Sequence, residues 1–182
     1  MVGRGLLVAV LLAACSPERG PETSPTTTGR SAASTPATTA AQTTTTSARR
    51  VAEAAVLAAY RAFWADVVAV GKTADWRSPR LADHATGEAL AEARATFRSL
   101  KARGLVARGM VKLDATVLSV SRTKATLYDC NDTNHFLAYD AKTGALRDKS
   151  TGRKNGKTVT LLPQGGIWKV ANVATEVGKC ER

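Results

Sequence analysis

Residues 87–121 read GEALAEARATFRSLKARGLVARGMVKLDATVLSVS, and the hydrophobic period changes within them. Up to Arg103 the apolar positions Ala89, Leu90, Ala93, Phe97 and Leu100 recur three and four apart, which predicts one face of an amphipathic helix over 87–103. Thr86 stands where an N-cap is wanted and Gly104 where a helix stops. Glu88 and Glu92 near the start, with Arg98, Lys101 and Arg103 near the end, complement the helix dipole. Beyond Gly104 the period becomes two: Met110–Ser121 alternates and is rich in Val, Leu and Thr. A helical segment handing over to strands makes this an α+β chain.

On the N-terminal side, Val51–Val70 predicts a helix with Val56, Tyr60, Phe63, Val67 and Val70 on one stripe, widened by Trp64 and Val68 and ended by Gly71. Ser78-Pro79 opens a short helix to about His84. On the C-terminal side, strands are expected at Lys124–Cys130, His135–Asp140, Lys157–Leu162 and Ile167–Val177, separated by Gly- and Pro-containing turns. The expected architecture is three N-terminal helices packed on a curved, mostly antiparallel sheet of four to five strands. No uninterrupted apolar run reaches the ~20 residues of a membrane-spanning helix.

Residues 1–14, MVGRGLLVAVLLAA, have the layout of a secretory signal, with Arg4 ahead of an apolar stretch and small residues before Cys15. Leu12-Ala13-Ala14-Cys15 resembles the lipobox of bacterial lipoproteins. The resemblance implies cleavage before Cys15, diacylglyceryl transfer to its thiol, acyl chains such as palmitate, and retention on the extracytoplasmic face of the cell membrane. From Ser16 to Arg50, 26 of 35 residues are Thr, Ser, Pro or Ala without an apolar period, so residues 15–50 read as the lipidated Cys and a disordered stalk. Its composition fits both an O-glycosylated stalk and an unmodified tether. The folded domain is then 51–182.

Within that domain, Tyr60-Arg61-Ala62-Phe63-Trp64, Asp75-Trp76-Arg77-Ser78-Pro79, Ala85-Thr86-Gly87-Glu88-Ala89-Leu90, Asp129-Cys130-Asn131-Asp132 and Trp168-Lys169-Val170 before Cys180 are similar to stretches of small secreted actinobacterial lipoproteins. Those lipoproteins resemble the SnoaL-like, nuclear-transport-factor-2-like superfamily. The resemblance covers roughly residues 51–180 and implies a cone, a curved sheet wrapping the long first helix. That superfamily holds both enzymes and non-catalytic binding modules, so the fold leaves the function open.

In an exported domain Cys130 and Cys180 form an even pair, and an oxidising compartment favours a disulfide over a reactive thiol. If the strand face of His135 and Tyr139 lines the mouth of the cone, these two could converge with Tyr128, Tyr60 and Trp64 as a ligand pocket; the same cluster also reads as an ordinary core with polar tips. His84 reads as structural, at a helix end. Asp129, Asn131 and Asp132 lack the spacing of a calcium loop and read as turn residues. No catalytic residue, metal site or cofactor is expected. The chain carries a formal charge of +11. Export argues against nucleic acid as the partner and leaves anionic wall polymers, or another envelope protein, for a basic turn at Arg153, Lys154 and Lys157; a merely solvated charged face is the alternative. Together these features lead to a lipid-anchored, non-catalytic binding or envelope accessory module, with a small-ligand carrier or enzyme using the cone interior as the other reading.

Overall fold

A computed structural model describes residues 38–148, 154–176 and 180. The signal segment, Cys15, the first part of the stalk and Arg153 lie outside the described residues. The described chain is α+β, as expected, but the strands number seven and form two antiparallel sheets.

Helix α1, Thr38–Gly71, carries the predicted stripe into the core: Val56, Tyr60, Phe63, Val67 and Val70 are all buried. It starts at Thr38 rather than at Val51, so the end of the segment read as stalk is helical, with Thr46–Arg50 exposed throughout. Once the packed turns have nucleated a helix, each further residue adds a hydrogen bond without needing a core, and an Ala/Thr run follows. By length and composition Thr46–Gly71 could also cross a membrane. Glu53, Arg61 and Asp66 interrupt it, and its apolar stripe faces the sheet.

Gly71 serves packing, not a left-handed cap. A Cβ there would lie 2.9 Å from the Phe136 ring and 3.0 Å from the Ala107 carbonyl oxygen. The left-handed residue is Ala74, buried at φ 50°, whose N–H donates to the Val70 carbonyl at 2.9 Å. A non-glycine residue adopts that conformation at a cost of about 1–2 kcal/mol. Helix α2 is a single turn, Leu81–His84, and α3 runs Gly87–Ala102. Gly104, at φ 67°, ends α3 as predicted. The link between α2 and α3 is tied to the last strand by the Thr86 N–H donating to the Val170 carbonyl at 2.8 Å.

The strands are β1 (Leu105–Gly109), β2 (Ala115–Val120), β3 (Ala125–Asp132), β4 (Phe136–Asp140), β5 (Leu146–Asp148), β6 (Lys154–Gln164) and β7 (Ile167–Glu176). They order as β1-β4-β5 and β2-β3-β6-β7. The two sheets are halves of one bent ribbon. Leu105 pairs with Asp140, Gly109 with Phe136, Lys112 with Asp132 and Val120 with Ala125, so residues 105–140 form a single long hairpin interrupted at its bend. The strand expected over Met110–Ser121 begins only at Ala115, and β1 is an additional strand ahead of it. Gly109, at φ 114°, backs onto the His135 carbonyl where no Cβ fits, and Met110 turns out into solvent. At the other end β6 and β7 meet through Gly165 and Gly166, both at positive φ, the backbone a two-residue hairpin turn demands.

Cys130 on β3 is joined to Cys180, past the end of β7, with their Cα atoms 5.6 Å apart. Closing a 50-residue separation lowers the unfolded chain's entropy by an amount worth about 4 kcal/mol in the loop-closure picture.

Candidate functional site

The inner face of β3 changes character along its length. Ala125, Leu127, Asp129 and Asn131 alternate inward and are all fully buried, apolar at one end and polar at the other. Asp129 meets α1 there. The Tyr60 hydroxyl donates to Asp129 Oδ2 at 2.8 Å, and the Asp114 backbone N–H donates to Oδ1 at 2.6 Å. Burial pushes the Tyr60 phenol far above its ordinary value, helped by the neighbouring carboxylate and opposed by the Trp64 indole. Burial also raises the Asp129 carboxyl, against the lowering effect of the two hydrogen bonds it accepts. Two residues further on, neither amide atom of Asn131 has a hydrogen-bond partner among the described residues.

Beside this polar floor lies a cavity of about 260 Å³ between α1, α3 and the sheet. Phe63, Trp64 and Val67 on α1 and Ala93, Phe97 and Leu100 on α3 form two of its walls. The sheet side is closed by Phe136, Val173 and Lys157. The polar lining is limited to Glu92, Thr96, Thr133 and Lys157. A mostly apolar, partly open space with a few polar groups is the usual form of a small-ligand site, and its volume falls just under the roughly 300 Å³ where such sites commonly begin. Lys157 is half-buried, its Nζ donating to Thr175 Oγ1 at 2.8 Å. Burial lowers its pKa, while Glu92 and Asp129 act in the opposite sense.

Of the five residues expected to converge on a pocket, Trp64 lines the cavity and Tyr60 lies buried beside it, engaged with Asp129. The other three do not line it. Tyr128 occupies the outward parity of β3, its hydroxyl 3.9 Å from Cys130 Sγ and packed over Gly156. His135 is exposed in the turn ahead of β4. Tyr139 pairs with Val106 on β1 and has the Arg108 guanidinium 5.7 Å from its ring centroid. Phe136, one residue after His135, takes the inward place on β4, and a one-residue change of parity sends every side chain of a strand to the opposite face. The basic turn also divides: Lys154 is exposed, whereas Lys157 points into the cavity.

Two groupings were not legible from the sequence. Asp66 on α1 is buried and takes His84 Nδ1 at 2.7 Å and Arg80 Nη1 at 3.4 Å, which fastens α2 to the long helix. The Trp76 ring is flanked by the guanidinium carbons of Arg77 and Arg98 at 3.9 and 4.2 Å, joining the loop after α1 to α3. Asp129 and Asn131 are core residues and not turn residues; Asp132 alone does turn work, accepting from the Asn134 N–H at 2.9 Å. Among the described residues, no group of three or more His, Cys, Asp or Glu is placed to hold a metal ion.

No family model and no curated protein matches the chain. Among solved structures it is similar to the intermembrane space region of the chloroplast protein ARC6, with 16% identity and a TM-score of 0.37 over 62% of this chain and 90% of that one. A likeness at that level carries no functional inference, so the cavity is read from its own residues.

The Tyr60–Asp129 contact yields a direct expectation. Tyr60→Phe should cost about 1–3 kcal/mol in urea unfolding, because a buried carboxyl oxygen loses its donor. Asp129 holds its proton more tightly folded than unfolded, so its contribution to stability is full below the unfolded pKa near 3.8 and declines as pH rises through the higher folded value. Asp129→Asn should therefore cost less than Tyr60→Phe at neutral pH and flatten the stability profile just above pH 4. Equal stability of Tyr60→Phe and wild type would show that the contact contributes nothing.

Proposed function

We propose that this chain is a lipid-anchored, extracytoplasmic protein whose α+β domain is a non-catalytic module binding a small, mostly apolar ligand between α1, α3 and the sheet. The observation that carries the reading is the cavity, with apolar walls from three elements and Lys157 among its few polar groups. A core packed only for stability would fill such a space with its own side chains, since each void forfeits packing energy. The resemblance to SnoaL-like lipoproteins agrees with a cone whose interior receives a ligand.

The non-catalytic part rests on where the acid–base groups sit. Asp129 has both carboxyl oxygens committed to Tyr60 and Asp114, His135 faces solvent and His84 is paired with Asp66. Among the described residues lining the cavity, the ionisable side chains are Lys157 and Glu92. The lipid anchor rests on the sequence ahead of Cys15, and the stalk on the Thr- and Pro-rich residues behind it. Docking to an envelope protein or an anionic wall polymer is the second reading; exposed Lys154 and the Arg77 and Arg98 pair favour it.

Two measurements test this. Intact mass of the protein extracted from host membranes should show loss of residues 1–14 and added acyl chains; an unmodified, full-length mass overturns the anchor. For the cavity, the neutral dye N-phenyl-1-naphthylamine should brighten on mixing with wild type. Thr96→Trp, at an exposed position on the cavity lining, should weaken dye binding about tenfold at unchanged Tm. Equal dye binding by both proteins places the dye elsewhere and contradicts the reading.

A further inference from the structure

We infer that the ligand of this cavity is a small amphiphile ending in a carboxylate, with its tail among Phe63, Phe97 and Phe136 and its head at the Lys157 ammonium, the cation facing the cavity from β6. The inference rests on the cavity-binding reading above and specifies the chemistry the cavity selects.

Lys157 sits opposite Asp129 on β3 and Thr175 on β7, on the inward face of the four-stranded sheet. Of the three N–H groups of its ammonium, one is used by Thr175 Oγ1. No carboxylate ion-pairs with it among the described residues, in which the salt bridges are Arg49–Glu53, Arg80–Asp66 and His84–Asp66. Neither of its nearest acids forms an ion pair with it. Asp129 faces it from β3 but already accepts from Tyr60 and Asp114, and Glu92 faces it from α3 at the exposed edge of the cavity. Both act at longer range, and burial has the larger influence in lowering the Lys157 pKa.

A half-buried ammonium with one donor taken by Thr175 can offer the other two to a ligand, and an anionic oxygen is the group that accepts them most strongly. A carboxylate matches the two donors with its two oxygens. A phosphate would bring more charge and more acceptors than Lys157 can satisfy, next to Glu92. A ligand amine would meet the Lys157 charge directly. The three aromatic side chains take the hydrocarbon part, and the modest volume calls for a short chain or a single ring.

The full chain is assayed by displacement of bound N-phenyl-1-naphthylamine with octanoate, octanol and octylamine. Octanoate should displace the dye at about tenfold lower concentration than octanol, with octylamine weakest. Lys157→Met, which keeps length and loses charge, should abolish that order by weakening octanoate about tenfold while leaving octanol equal or tighter. Lys157→Arg should retain the carboxylate preference, which separates loss of charge from loss of fold. Octanol matching octanoate in wild type, or an unchanged preference in Lys157→Met, overturns the headgroup assignment and leaves the cavity reading standing. Failure of the dye itself to bind wild type overturns both.

Discussion

The hydrogen bond from the Tyr60 hydroxyl to Asp129 settles how the long helix lies on the sheet. An apolar stripe on its own specifies that α1 packs, but not where along the sheet it stops, because hydrophobic contact is non-directional. A buried carboxyl supplies that missing coordinate. Asp129 is fully buried, so sliding α1 by one residue would part its carboxyl oxygen and the Tyr60 phenol from each other. With Tyr60 held there, Phe63, Trp64 and Val67 fall at the next turns of α1, in position to face α3 and form a wall of the cavity. The backbone N–H of Asp114, from the bend between β1 and β2, completes the same carboxylate, so one residue links helix, sheet and bend.

The bend is the second constraint. A flat seven-stranded sheet could not turn its edge back over a helix. Here the ribbon of residues 105–140 folds at Gly109, where the close approach of the His135 carbonyl excludes any side chain, and Phe136 is carried inward just past it. Gly71 lets α1 press against that corner. The cavity thus exists where a long helix, a sharply bent hairpin and α3 meet without enough side-chain volume to fill the junction.

Much of this was legible in the sequence, and the failures share a physical cause. The α1 stripe, the extent of α3 with its Gly104 stop, the β6–β7 hairpin and the Cys130–Cys180 bridge follow from period, turn chemistry and cysteine count. Those signals are local or nearly so. Strand parity is not: whether Tyr128 or Asp129 faces inward depends on register, and a polar residue is ordinarily assigned outward. Asp129 and Asn131 therefore resemble turn residues in the sequence, although the alternation Ala125, Leu127, Asp129, Asn131 points to one face. His135 failed for the same reason, one residue short of the strand that carries Phe136 inward. Lys157 read as part of a basic turn because charge runs usually mark solvated faces; its neighbours Thr158 and Val159 gave no sign that β6 would present it to a cavity. The pairing of Asp66 with His84 joins separate elements and leaves no mark on either one's local pattern.

Ligand binding at the junction between α1, α3 and the bent hairpin requires an apolar space that an outside molecule can enter. Xenon-pressurised crystals test it most directly, because xenon enters apolar cavities and needs no chemical recognition. Xenon density bounded by Phe63, Phe97 and Phe136 is the expected result. Crystals with no xenon there, and those three rings in mutual contact, would contradict it.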